Sequence, residues 1–246
     1  MTLKTHFKTS GAWLFSHRSY VPLVLLPLAA LVMFFSHDYP QSFALHFPWK
    51  LLCLVFSLCG MIVRALVVGL TPTGTSGRNT EGQIADELNT LGIYSVVRHP
   101  LYIGNYIVVL GIVMWMGIWW FVLLASVLYW FYYERILYTE EEYLSERFGE
   151  QHEKWAAVVP AVIPSFRHYK PSALRFSVKN VLAREYDGFL AIATAFLILA
   201  GLEYYALGCS GSFEMFWPIF FAAIFIIAAI LRWMRKKTDL LKVKGR

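Results

Sequence analysis

Long apolar runs separated by short polar segments dominate this chain of 246 residues. A membrane-spanning helix needs about 20 apolar residues, or somewhat fewer where interfacial side chains anchor it. Six runs meet that length, at residues 20–36, 49–70, 101–117, 118–138, 189–207 and 213–233. The third and fourth are joined by Gly117-Ile-Trp-Trp120, which predicts a tight helical hairpin. The pattern therefore predicts an all-α integral membrane protein with about six transmembrane helices.

Composition supports this interpretation. The chain is 58% hydrophobic and 15% charged, whereas a soluble domain typically carries about 25% charged residues. Residues 1–20 lack a continuous apolar core and a small-residue cleavage site, so we expect no cleavable signal peptide. We expect the protein to be an integral membrane protein that crosses the bilayer several times.

The distribution of Lys and Arg predicts the orientation. The N-terminal segment has three of these residues, the region 134–187 has eight and the C-terminal tail has seven. The loops at 37–50 and 208–212 have one and none. By the positive-inside rule, both termini and the two polar segments described below are then cytoplasmic. The net charge of +6 is concentrated in the tail, which predicts contact with anionic lipid of the bilayer and not with nucleic acid.

The cysteines and histidines indicate neither a disulfide framework nor a metal centre. Cys53 and Cys59 lie on one apolar run, too far apart along a helix to bridge, and Cys209 stands in a short loop. The seven histidines form no zinc-binding pattern. We expect no metal.

Two polar segments, residues 91–105 and 139–149, flank the hairpin. Ionisable groups at the edge of a membrane segment are costly and usually mark a site. Pro100 suits the first turn of a helix, which would place His99 at the N-cap. Such a helix start attracts a carboxylate or phosphate. The alternative is that this Arg98-His99-Pro100-Leu101-Tyr102 stretch is an ordinary interfacial anchor.

The acidic run that follows Thr139 also has two interpretations. Thr139 and Glu142 read as a capping box at the start of a new helix. Alternatively, a carboxylate here holds ribose hydroxyls or a cationic cofactor. Within the apolar runs, Arg64 is expected to snorkel to the membrane edge or to meet an anionic headgroup, and Glu203 is expected to be interfacial.

Taken in order, the polar motifs resemble one family over residues 79–166. They are Gly92-x-Tyr94-x3-Arg98-His99-Pro100-x-Tyr102-x-Gly104, then Glu140-Glu141-x2-Leu144-x3-Phe148-Gly149, then Trp155-x3-Val159-Pro160-x3-Pro164. This set resembles the isoprenylcysteine carboxyl methyltransferase family and its phospholipid methyltransferase relatives. The resemblance implies an S-adenosylmethionine-dependent methyltransferase built from membrane helices.

The resemblance also implies which residues bind the cofactor and which contact the acceptor. Carried over to this chain, the cofactor-binding positions are Asn79, Asp86, Glu87, Leu88, Asn89, Tyr94, His99, Pro100, Leu101, Tyr102 and Glu140. The prenylcysteine branch has a His at the place of Asp86 and a substrate-contacting Arg at the place of Ile136. Arg135 lies one residue away, so Arg135 and Glu140 are the predicted catalytic residues.

The predicted function is methyl transfer to a membrane-embedded amphiphile, a lipid headgroup or an isoprenylcysteine-like carboxylate, at the cytoplasmic face. Carboxylate, phosphate and amine acceptors all remain open. The alternatives are an NADPH-dependent sterol or steroid reductase with a similar C-terminal half, and a non-enzymatic transporter or scaffold. We divide the chain into N-terminal helices (1–70), a methyltransferase core (71–185) and a C-terminal helix pair (186–246).

Overall fold

The computed structural model describes residues 2–18, 20–72, 85–209 and 213–243, and every structural statement below refers to these residues. They form helices and loops, with no β-strand among them, which confirms the predicted all-α class. The helices are α1 (Leu3–Ser16), α2 (Leu25–Phe35), α3 (Phe47–Leu70), α4 (Pro100–Met114), α5 (Trp119–Phe148), α6 (Glu150–Ala156), α7 (Val178–Ala206) and α8 (Phe216–Lys237).

Each predicted apolar run contains a helix. Three of the described helices, α3, α7 and α8, are long and apolar enough to cross a membrane. Two shorter apolar helices, Pro22–Phe35 and α4, accompany them. The predicted boundary between residues 185 and 186 falls inside α7, which runs without interruption to Ala206. We call the end of the bundle where α3 ends and α4 and α7 begin the polar end.

The tight hairpin is confirmed. α4 ends at Met114 and α5 begins at Trp119, so four residues reverse the chain. Gly117 has φ +67°, a conformation that side chains rarely adopt. A Cβ atom on Gly117 would lie 2.7 Å from the Cβ of Ala44. Glycine at this position therefore allows both the turn and the close contact with the preceding loop.

The predicted capping box at Thr139 is wrong. α5 continues through this position to Phe148, and the Thr139 hydroxyl donates to the Arg135 carbonyl one turn earlier, at 2.9 Å. α1, which no apolar run of the sequence predicts, packs along this part of α5. Lys8 of α1 pairs with Glu142 and Glu146 on α5. A continuous helix is favoured because α1 covers the polar segment and leaves no free helix start to cap.

α3 and α4 pack closely through glycines. A Cβ atom on Gly60 would lie 2.5 Å from the Gly104 carbonyl oxygen, and one on Gly104 would lie 2.8 Å from Cγ of Arg64. Small residues at such positions let helix backbones approach each other in a membrane. The Ser57 hydroxyl also donates to the Val108 carbonyl across this interface, at 2.9 Å. The contact brings Arg64 of α3 beside α4.

At the end of the bundle opposite the polar end, a large aromatic cluster forms the core. Trp115 and Trp217 are fully buried, with ring centroids 4.9 Å apart. Phe196 of α7 stacks on Trp217 at 5.4 Å. The cluster joins the hairpin to α7 and α8, so the C-terminal helices are packed into the same bundle as α3 and α4.

Beside this cluster lies a buried ionic group that contains Glu203. Only 7% of Glu203 is exposed, and it pairs with the buried Lys50. Its carboxylate also accepts from Trp115 Nε1 at 2.9 Å. Lys50 further contacts Glu214 at 3.1 Å. These contacts connect α3 to α7 and to the start of α8.

We expect Lys50→Met to destabilise the protein by about 3–5 kcal/mol, because it leaves the buried Glu203 carboxylate without its cation. The double change Lys50→Met with Glu203→Gln is expected to recover part of this loss. The measurement is thermal unfolding of the purified protein in detergent. Lys242→Met, at an exposed pair with Asp239, is the control and should leave the melting temperature unchanged. A double variant no more stable than the single one would contradict the prediction.

Candidate functional site

One cavity of about 710 Å³ begins at the polar end and continues into the bundle. Its first part, the polar chamber, is lined by Arg18, Glu87, Leu88, Asn89, Tyr94, Arg98, His99, Pro100, Leu101, Tyr102 and Glu140. Its second part, the apolar slot, is lined by Leu25, Leu26, Ala29, Val108, Ile112, Val113, Ala191, Ile192, Ala195 and Leu199. A ligand pocket of this size holds a molecule of several hundred daltons.

His99 is the N-cap residue of α4, as predicted, with Pro100 at the first helical position. However, its side chain does not cap the helix. The imidazole Nε2 lies 2.6 Å from Glu141 Oε1, and Nδ1 lies 3.4 Å from Glu140 Oε2. The ring is 6% exposed at its side chain. His99 thus fixes two neighbouring carboxylates of α5 to the start of α4.

Burial by itself would lower the pKa of His99. The hydrogen bonds and charges of Glu140 and Glu141 outweigh burial and raise this pKa above its usual value. Conversely, the hydrogen bonds and charges of His99 and Arg98 overcome the burial of Glu141 and lower the pKa of its carboxyl. Both shifts favour an imidazolium held between carboxylates.

The two glutamates have different positions. Glu140 lines the cavity and accepts a hydrogen bond from the Tyr102 hydroxyl at 2.5 Å. Arg18, at the end of α1, lies 3.7 Å from the same carboxylate. Glu141 is absent from the cavity wall and instead accepts from Arg98 Nε at 2.8 Å. Glu140 is therefore available to a ligand, whereas Glu141 holds the chamber together.

Arg98 also forms hydrogen bonds with the third sequence motif, residues 155–164. Its Nη1 donates to the carbonyl oxygens of Ala156 and Val159, at 2.8 and 2.9 Å. Trp155 Nε1 donates to the Tyr94 carbonyl at 3.0 Å. The Trp155–Pro160 part of the motif thus supports the chamber from behind. Burial raises the pKa of the Tyr94 hydroxyl well above its usual value, so this phenol is neutral.

Not every predicted residue lies at the cavity. Asp86 is exposed and does not line it, and Asn79 lies outside the described residues. Arg135 is turned toward α1, where Nη1 donates to the Ser10 hydroxyl at 3.3 Å and the guanidinium lies 5.0 Å from the Phe7 ring. The structure therefore does not bring the predicted catalytic Arg135 to the site. In the part of the chain that is described, no group of three His, Cys, Asp or Glu residues is arranged to hold a metal.

A polar cluster that the sequence did not predict lies between the chamber and the slot. Arg64 is not snorkelling: its Nε and Nη2 donate to the two oxygens of Glu185, at 2.7 and 3.0 Å. Its Nη1 donates to Asn105 Oδ1. Glu185 is 2% exposed. Arg64 carried a signal, as a charge inside an apolar run, but nothing in the sequence linked it to Glu185, 121 residues later.

Comparisons with known proteins agree with the resemblance. Residues 49–151, from α3 into α6, match the model of the phospholipid methyltransferase family. A segment of 77 residues is 42% identical to the protein-S-isoprenylcysteine O-methyltransferase of Schizosaccharomyces pombe, and covers 31% of this chain. The chain spans about a third of that relative's length, 33%. No solved structure matches. The predicted family resemblance is confirmed, and nothing in these matches supports a reductase.

The shifted pKa values predict how stability depends on pH. Because the folded pKa of His99 is raised above 6.5, its stabilising contribution is complete below pH 6.5 and is lost as pH rises through the folded pKa. Because the pKa of Glu141 is lowered below 4.5, its contribution is complete above pH 4.5 and is lost as pH falls through the folded pKa. We therefore expect the melting temperature to decline on the alkaline side.

In Glu141→Gln, His99 keeps only Glu140, so the alkaline decline should begin at a lower pH than in the wild type. Thermal unfolding without ligand, followed from acidic to alkaline pH, measures this. Glu153→Gln on the exposed side of α6 is the matched control. Identical pH profiles for wild type and Glu141→Gln would show that the pair does not contribute to stability.

Proposed function

From the match of α3–α6 to the phospholipid methyltransferase family, we propose that this protein is an S-adenosylmethionine-dependent methyltransferase that acts on a membrane-embedded amphiphile. The observation that carries the proposal is the continuity of the cavity. One cavity joins the motif residues of the polar chamber to an apolar slot between helices. A polar cofactor and an apolar tail can thus occupy adjoining parts of the same space.

The donors and acceptors of the polar chamber fit this cofactor. Glu140 presents a carboxylate to the cavity for ribose hydroxyls or the cofactor's amino group. The N–H groups of the first turn of α4 are not capped by His99, and a helix start of this kind favours a carboxylate. Glu87, Leu88 and Asn89 form the facing wall. Bound here, the cofactor would supply an electrophilic methyl group.

The polar cluster at Arg64 would receive the acceptor's headgroup. An Arg side chain has five N–H groups, and the contacts to Glu185 and Asn105 use three of them. Within the described part of the chain these are the hydrogen bonds of Arg64, so one N–H on each terminal nitrogen remains for a ligand. Two parallel N–H groups suit a carboxylate or a phosphate. We accordingly favour an oxyanion acceptor over an amine, which would need a base to remove its proton.

For methyl transfer, an oxyanion needs alignment more than activation. Arg64 would orient the acceptor oxygen from one side, and the cofactor-binding residues would hold the methyl group on the other. The buried Tyr102 and Tyr133 rings line the space between them and limit the entry of water. Holding two reactants in one geometry is a large part of such catalysis.

In the membrane, we propose six spanning segments, with both termini and the polar chamber on the cytoplasmic side. The support is the excess of Lys and Arg in the connections at the polar end. The donor would then arrive from the cytoplasm.

Calorimetric titration with S-adenosylhomocysteine, with NADPH in a parallel cell, tests the cofactor. We expect binding of S-adenosylhomocysteine only, and its loss in His99→Ala and Glu140→Ala. The control is Glu146→Gln, an exposed position on the same helix, which should bind normally. Preserved binding in both chamber variants, or binding of NADPH alone, would refute the assignment.

Arg64→Lys tests the headgroup contact. Lys keeps the charge beside Glu185 but lacks the planar fork, so S-adenosylhomocysteine binding should persist. Transfer of a labelled methyl group to lipid should fall about tenfold or more, about 1.4 kcal/mol. Arg232→Lys at an exposed position is the control. The label should be released by ester cleavage; label on an amine would contradict an oxyanion acceptor.

A further inference from the structure

One face of α7 forms a long wall of the cavity. Its lining residues follow a helical spacing, with Glu185 at the polar cluster and Leu199 at the deepest point. Between them the wall consists of Asp187, the small residues Gly188, Ala191 and Ala195, and Ile192. The Met61 side chain fills the space at Gly188, since a Cβ atom there would lie 2.8 Å from Met61 Cε. The open part of the wall is therefore at Ala191 and Ala195, where small side chains leave space that larger ones would fill.

The space exists because α4 and α7 do not close on each other. Both helices pack against α3, but their contact with one another is slight. The apolar slot lies between them, with α2 on the third side. Ala29 of α2 and Ile192 of α7 are buried in the same core cluster, so this side is closed at depth.

The slot has an open side and a closed floor. Leu23, before α2, and Ala191, on α7, both line the cavity and are both exposed. They mark an opening on the flank of the bundle near the polar end. At depth, Leu199 is 1% exposed and packs in the core cluster that contains Trp115 and Trp217. A hydrocarbon chain that enters from the side is therefore stopped at Leu199.

The length of the slot can be read from the helix. Leu199 is fourteen residues beyond Glu185, which is about 21 Å along α7 at 1.5 Å per residue. Ala195 lies about 15 Å and Ala191 about 9 Å from Glu185 on the same scale. One leaflet of a bilayer has a hydrocarbon depth of about 15 Å. The wall from Glu185 to Leu199 is thus about 6 Å longer than this depth, so it can hold the whole tail of one leaflet lipid.

We infer that the Ala191–Ala195 face of α7 determines the length of the hydrocarbon tail that the acceptor carries, with Leu199 as the stop. The inference rests on the proposed function, and it defines the acceptor as an oxyanion headgroup on a tail of bounded length. The headgroup lies at Arg64, at the top of this wall. α7 lies outside the matched residues 49–151, so this selection is a property of the flanking helix and not of the shared core.

The test uses two enlarging variants at different depths. Ala195→Leu should raise the floor by about one helical turn, 5.4 Å, and shorten the preferred chain by about four methylene groups. Ala191→Leu, nearer the headgroup, should shorten it further. Ala191 is exposed, so this variant is expected to fold even if Ala195→Leu does not. Ala223→Leu, on the exposed face of α8, is the matched control.

The ligands are alkyl phosphates whose chains run from shorter than the slot to the length of a leaflet. The first readout is thermal stabilisation of the full-length protein, with S-adenosylhomocysteine present, as a function of chain length. This readout needs no turnover, so it is independent of whether methyl transfer occurs. The second readout is the chain-length profile of methyl transfer to the same series.

We expect the shortest optimal chain for Ala191→Leu and a longer one for Ala195→Leu. The control Ala223→Leu should have the same optimal chain length as the wild type, and this length should be the longest. An optimum that is the same in wild type and both variants, or stabilisation independent of chain length, would overturn the inference. Failure of the wild type to bind S-adenosylhomocysteine would instead refute the proposed function. The two failures are therefore distinguishable.

Discussion

The polar chamber depends on one buried ionic contact, the imidazole of His99 between Glu140 and Glu141. It joins the start of α4 to the part of α5 that extends beyond the hairpin. Arg98 extends the contact to the loop after α6. A charge buried with several partners is costly to disrupt, because removing one partner leaves the others uncompensated. Three motifs that are separate in sequence thereby form one rigid wall.

The pattern of the sequence was enough to predict the apolar helices and the hairpin, since apolar length and a glycine turn are local properties. It was also enough to identify His99, Tyr102 and Glu140, which lie together at the cavity. Local rules failed at Thr139, where a valid capping signal lies in the middle of a helix. Packing of α1 against α5 overrides that signal, and α1 is too weakly apolar to be noticed in a search for membrane spans.

Residues that act through distant partners could not be predicted. Glu185 and Glu203 each meet a cation on α3, more than a hundred residues earlier in the chain. A single sequence contains no information about such pairs beyond the cost of an isolated charge in an apolar run. Arg135 is turned away from the cavity for a local reason, because on a helix one residue changes direction by about 100°. It faces α1, whereas Ile136 is buried.

α1 differs from the rest of the bundle in how it is held. Its last turn is buried, because Phe15 packs with Tyr102 and Tyr133, whereas Lys4 and Lys8 near its start pair with α5 and are themselves half exposed or more. Exposed ion pairs contribute little, and salt screens them. The glycine contact of α3 and α4 has no such dependence on ionic strength. Added salt should therefore loosen the first turns of α1, while its buried end stays packed against α4 and α5 at the cavity.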